Sequence, residues 1–177
     1  DRVLSEIRTD MPGTGEGRAL WFREAGACEL RSEVVAAPAG DQVLIEMLYS
    51  GISRGTESLV FRGQIPASEH ERMRCPYMGG SFEFPVKYGY GAVGTVVRGT
   101  PELVGQTVFC LHPHQDRFVV DTSAVTCLPA GLPAERAVLG ANMETALNIS
   151  WDAGLLPGDR VAIFGAGVVG TLVAYIA

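Results

Sequence analysis

Basic residues are scarce in this chain and nowhere dense: 14 Lys and Arg stand against 20 Asp and Glu over 177 residues, a formal net charge of -6. A protein that tracks a nucleic-acid backbone has to neutralise several phosphates with clustered cations. A nucleic-acid partner is therefore excluded, and a small molecule or a protein is expected instead. Cysteine is sparse as well. The four, Cys28, Cys75, Cys110 and Cys127, form no CxxC pair and no short spacing, which excludes a disulfide framework or a zinc ribbon and leaves them as small buried apolar residues. No apolar run reaches membrane-spanning length, because the longest, Leu155 to Ala177, is interrupted by Pro157-Gly158-Asp159-Arg160. No basic region followed by an apolar core and a small-residue cleavage site opens the chain, so the expected location is cytoplasmic. Internal repeats and low-complexity tracts are also lacking.

What is present is a succession of short β-type runs with glycine and proline punctuation. They are Ala19 to Phe22, Glu29 to Val35, Val43 to Ser50, Gly91 to Val97, Thr107 to Leu111, Phe118 to Asp121 and Val125 to Leu128. Many short strands predict a sandwich or barrel. Residues 1–17 are polar and glycine-rich and read as a leader arm. The segment from Arg54 to Lys87 has no regular period and reads as a long loop or lobe, a kind of segment that often carries function. After Leu128 the pattern turns helical, over Pro133 to Leu139 and Met143 to Ala153. The domain boundary is thus expected near residue 130, with 18–130 the β domain and 131–177 a helical join leading into a second unit.

That second unit carries the most informative stretch. Val161 to Phe164 reads as a buried strand, and it feeds Gly165, Gly167 and Gly170 in GxGxxG spacing, followed by an apolar helix that starts at Val168 and Val169. The first glycine allows a tight turn, the second lets backbone approach a pyrophosphate, and the third lets helix and strand pack closely. The helix N-terminus then faces the phosphates. The five residues Gly165, Gly167, Val168, Val169 and Gly170 are the candidate dinucleotide-binding positions. The acidic residue expected about 20 positions further on, against the adenosine ribose, would lie beyond Ala177, so the chain is expected to be the front portion of a longer protein.

An all-β front, a helical join and Pro157-Gly-Asp-Arg-Val-Ala-Ile-Phe-Gly-Ala-Gly-Val-Val-Gly170 together resemble the medium-chain dehydrogenase/reductase superfamily. Further phrases resemble its landmarks: Tyr49-Ser-Gly-Ile-Ser-Arg-Gly-Thr-Glu57, Lys87-Tyr-Gly-Tyr-Gly-Ala-Val-Gly94 and Gly105-Gln-Thr-Val-Phe109. The first phrase is also similar to the branch containing bacteriochlorophyllide hydroxyethyl dehydrogenase. The resemblance implies a mixed β and α/β fold, a GroES-like β-barrel followed by the start of a Rossmann domain. It also implies NAD or NADP as cofactor, hydride transfer to or from a carbonyl, alcohol or activated alkene, and a homodimer.

The zinc ligands of the superfamily are mostly missing. Ser53 stands where the first ligand is a cysteine, Tyr90 where the second is a histidine, and only Glu144 answers to the third. One carboxylate of three is a poor zinc site, so a zinc-independent oxidoreductase with no bound metal is expected. Two alternatives remain: an atypical zinc site that draws Glu144 together with His112 or His114, and a cofactor-binding protein that kept the fold and lost catalysis. Without zinc, the resemblance implies Thr56, Tyr90 and Glu144 as the catalytic candidates. A tyrosine, with an ordinary pKa of about 10, is a poor base but an adequate donor to an oxyanion. Thr145 resembles the nicotinamide-contacting threonine of zinc-free quinone reductases, and Arg54 is placed to meet cofactor phosphates or an anionic substrate. Each has a plainer reading beside it: Tyr90 as a barrel-wall aromatic, Thr56 as a loop cap, Glu144 as a solvated helix residue and Arg54 as a surface ion pair. His112 and His114 are expected to line the cleft or face water.

Overall fold

The computed structural model describes residues 14–177. The chain opens with β1 (Thr14–Glu24), β2 (Ala27–Ala36) and β3 (Gln42–Ser50), then a short helix α1 (Thr56–Phe61). Two-residue strands β4 (Gly79–Gly80) and β5 (Val86–Lys87) follow, then β6 (Ala92–Arg98), β7 (Thr107–Cys110), β8 (Arg117–Asp121) and β9 (Val125–Cys127). Helices α2 (Ala134–Ala137), α3 (Gly140–Asp152) and α4 (Val168–Ile176) complete it. All seven β-type runs read from the sequence coincide with strands.

Two antiparallel sheets form, in the orders β2-β1-β5-β4 and β8-β3-β6-β7-β9. They meet where β1 passes the segment before β8: Ala19 bridges Gln115, Leu20 N–H donates to the His114 carbonyl at 2.8 Å, and Asp116 N–H donates to the Arg18 carbonyl at 3.0 Å. The seam curls the sheets into the expected barrel-like domain. Two apolar clusters fill it. Val43, Ile45, Val96, Val108, Phe118 and Val120 form one, on the larger sheet. Phe22, Val60, Ile65, Phe82, Val86 and Tyr88 form the other, under α1 and the lobe of residues 54–87. Fully burying an aliphatic side chain of this size is worth about 1.5–3 kcal/mol, so these clusters carry the domain.

Three departures from the sequence reading have physical causes. β1 begins at Thr14, so residues 14–17 of the expected leader arm are strand, and the rest of that arm lies outside the described residues. Gly17, one of the glycines that suggested a loop, serves close packing, since a Cβ on it would meet the Arg117 carbonyl oxygen at 2.7 Å. The run from Val161 to Phe164 forms no ladder, because a strand needs a neighbour and none lies beside it among the described residues. The helix after it forms as expected and packs on α3. Of the four cysteines only Cys110 is buried, whereas Cys28 and Cys127 are exposed, since the alternation of a strand turns every second side chain outward whatever its polarity.

Candidate active site

A cavity of about 1160 Å³ opens between the barrel and the helical segment. On the barrel side it is walled by the β3–α1 loop, residues 51–56, and by Tyr90 just before β6. On the other side stand Asn142, Thr145 and Ile149 of α3 and the whole run from Val161 to Gly170. Spacing of three and four residues puts those α3 side chains on one helix face.

The glycine fingerprint has the geometry its spacing predicts. Gly165 sits at φ +109°, a conformation open to glycine, and a Cβ on Gly170 would run into the Gly165 carbonyl oxygen. Turn and helix therefore touch backbone to backbone. Gly167 is different: nothing lies within 4 Å of the place a Cβ would occupy, and no side chain caps the first amides of α4. Unsatisfied N–H groups at a helix N-terminus, facing open space over a side-chain-free residue, fit a dinucleotide pyrophosphate.

Thr56 opens α1, and its N–H donates to Ser53 Oγ at 3.4 Å, while the Glu57 carboxylate accepts the Ser53 N–H. These two hydrogen bonds shape the loop before the helix. Tyr90 packs its ring edge-on against Tyr88, with centroids 6.3 Å apart, and its hydroxyl has no hydrogen-bond partner among the described residues. It is at once a wall aromatic and a cleft residue. Arg54 is exposed and makes no ion pair among the described residues; it is the one cationic side chain lining the cavity. Thr145 donates its hydroxyl to the Ala141 carbonyl at 3.0 Å, which fixes its rotamer on the cleft face.

Glu144 is not brought to these residues. It lies on the other face of α3, exposed, in a separate hollow of about 500 Å³ with Tyr77, Phe109 and Leu111. The histidines are both buried, against the expectation of cleft or solvent. His112 stacks on Phe118 at 3.7 Å and hydrogen-bonds the Pro113 carbonyl through Nδ1 at 2.9 Å. Burial pushes its pKa down to about 4, with the Pro113 carbonyl opposing in part. His114, 7% exposed, pairs with Glu57, which is 2% exposed. Among the described residues no three His, Cys, Asp or Glu side chains come together in a group that could hold a metal ion, and Glu144 is not brought to His112 or His114. Sequence reasoning missed the Glu57–His114 pair, whose one signal was a carboxylate next to Thr56.

No family model matches the chain. A 65-residue stretch is 38% identical to 2-desacetyl-2-hydroxyethyl bacteriochlorophyllide A dehydrogenase of Cereibacter sphaeroides, over 37% of this chain and 17% of that protein. Among solved structures, a short chain alcohol dehydrogenase from E. coli CFT073, complexed with NADH, superposes with a TM-score of 0.72 at 15% identity, covering 91% of this chain and 52% of the other. The quinone oxidoreductase of Thermus thermophilus, solved also with NADPH, gives 0.65 at 22% identity, covering 90% and 49%. The fold is that of these oxidoreductases. A GroES-like barrel followed by the opening of a Rossmann unit accounts for both halves of the chain, as the resemblance implied. The chain spans about half the length of these solved structures. No helix among the described residues is long and apolar enough to cross a membrane.

Proposed function

We propose that the protein is an NAD(P)-dependent oxidoreductase of the medium-chain type that works without catalytic zinc. It would act on a small carbonyl, alcohol or activated alkene. The observation that carries this reading is convergence: the fingerprint turn with its uncapped helix, Thr145, Arg54, Thr56 and Tyr90 all line one cavity. A nicotinamide bound there would supply or accept the hydride. This chain's residues do the rest. The first amides of α4 and the Arg54 guanidinium would hold the cofactor's phosphates, and Thr145 would contact its nicotinamide end. The Thr56 and Tyr90 hydroxyls donate to the oxygen on which charge develops. Glu144, set on the far face of α3, would reach the reaction only from the neighbouring hollow.

The domain reading that goes with this is a substrate barrel that takes in β1 from Thr14 and runs to residue 130, and a join plus first Rossmann unit over 131–177. A cytoplasmic homodimer is the corresponding setting, with the dimer checked by light scattering on the purified protein.

The deciding experiment is titration of the full-length protein with NADH and NADPH by nucleotide fluorescence, followed by turnover on a quinone, enone and carbonyl panel. Gly167→Leu fills the open space over α4 at a stability cost of about 1 kcal/mol or less. It should weaken binding at least about tenfold, a loss of about 1.4 kcal/mol. Retained affinity would sink the assignment of the fingerprint. Tight binding with no turnover on any acceptor would favour the non-catalytic cofactor-binding protein.

A further inference from the structure

Glu57 and His114 are 57 positions apart, both buried, and joined by a hydrogen bond of 2.5 Å between His114 Nε2 and Glu57 Oε1. Neither lines the cleft. Each nonetheless ends on a cleft wall. The Glu57 carboxylate also accepts the Ser53 N–H, inside the loop that presents Arg54 and Thr56. His114 Nδ1 meets the Ser50 hydroxyl at 2.8 Å, at the strand end from which that loop departs. The imidazole also packs against Gly89, the residue before Tyr90: at φ +141°, a Cβ there would sit 3.1 Å from His114 Nε2 and Cδ2. The Gly51 N–H completes the arrangement by donating to the Gly91 carbonyl at 2.8 Å.

A buried carboxylate with one partner removed is strongly unfavourable, whereas a fully satisfied buried network holds one geometry. Here that geometry links the two wall segments carrying the hydroxyls of Thr56 and Tyr90. We infer that the buried Ser50–His114–Glu57 chain is a positioning device that sets Thr56 and Tyr90 relative to each other on the barrel wall of the cleft. It rests on the oxidoreductase reading for what the two hydroxyls do, but not for the linkage itself. His114 and Glu57 touch no substrate; they act through the 51–56 loop and the 89–90 segment.

The test is made on full-length protein carrying Glu57→Gln, His114→Gln and both together, with the exposed Glu102→Gln as a control for charge removal. Hydrogen exchange read by mass spectrometry should show residues 51–56 and 88–91 exchanging at least about tenfold faster, with the centres of β3 and β6 unchanged. In turnover, kcat should fall about tenfold or more with the acceptor KM changed less than about threefold, because misplacement costs the transition state rather than ground-state binding. The double variant should lose no more than the worse single one, since both break one linkage. Unchanged exchange in the two segments, loosening spread evenly over the barrel, or an unchanged kcat would each overturn the inference. If the unaltered protein binds neither NADH nor NADPH, the oxidoreductase reading fails separately, and the exchange pattern alone then decides on the linkage.

Discussion

His112 shows how a single side chain can mislead when only its type and neighbours in sequence are known. His112-Pro113-His114 suggests paired imidazoles at a loop surface, yet the first ring is stacked on Phe118 in the core. Its burial has a measurable consequence. With the folded pKa lowered to about 4, the native state excludes a proton that the unfolded chain accepts below its ordinary pKa of about 6.5. The unfolded state therefore binds more protons in that window, and stability falls as pH drops through it, while above about pH 6.5 the contribution is flat. Between pH 7 and pH 5 the loss from this residue is about 2 kcal/mol. His112→Phe keeps the stack and removes the titration, so its urea-unfolding free energy should fall less over that range, by about that difference. Parallel pH profiles for the two proteins would show that His112 is not buried in its neutral form.

The last helix is the element whose sequence was easiest to read and whose strand was hardest. Spacing alone announces the turn at Gly165 and the helix at Val168, because only small residues permit that backbone contact. Gly170 separates two opposed effects. Alanine is favoured over glycine inside a helix by about 1 kcal/mol. Here, however, its Cβ would strike the Gly165 carbonyl oxygen, and overpacking against backbone costs typically about 1–3 kcal/mol. Gly170→Ala should thus lower the melting temperature, and an unchanged or raised one would mean that turn and helix are not in contact. The strands of the barrel were legible for a similar local reason, as in the alternating burial of β7 and β8. Two things were not. Val161 to Phe164 has a strand's composition, but pairing depends on a neighbour, which composition cannot supply. The face of α3 that meets the cleft depends on how the helix docks. Glu144 and Thr145 are adjacent in sequence, and one turns to each hollow.

At the scale of the molecule, the cleft is a seam between a barrel that is largely self-sufficient and a helical segment with little buried surface of its own. In α4 only Val173 is buried, and Phe164 is almost wholly exposed. A ligand that touched the helical side alone would stiffen that side alone. The proposed cofactor site draws on both sides, with Arg54, Thr56 and Tyr90 contributed by the barrel, so binding should couple them. At about one hundred times its Kd, a ligand specific for the native state adds about 2.7 kcal/mol to stability. NADH or NADPH, whichever binds, should then raise the melting temperature of the full-length protein and protect backbone amides in residues 51–56 as well as 161–170. The barrel side makes this a sharper test than affinity alone, because residues 51–56 lie far from the fingerprint in sequence and gain protection only if the ligand spans the seam. Protection confined to 161–170 would leave the fingerprint assignment standing and remove Arg54, Thr56 and Tyr90 from the site. Protection of both segments would make the cleft a single site, assembled from parts that the sequence keeps far apart.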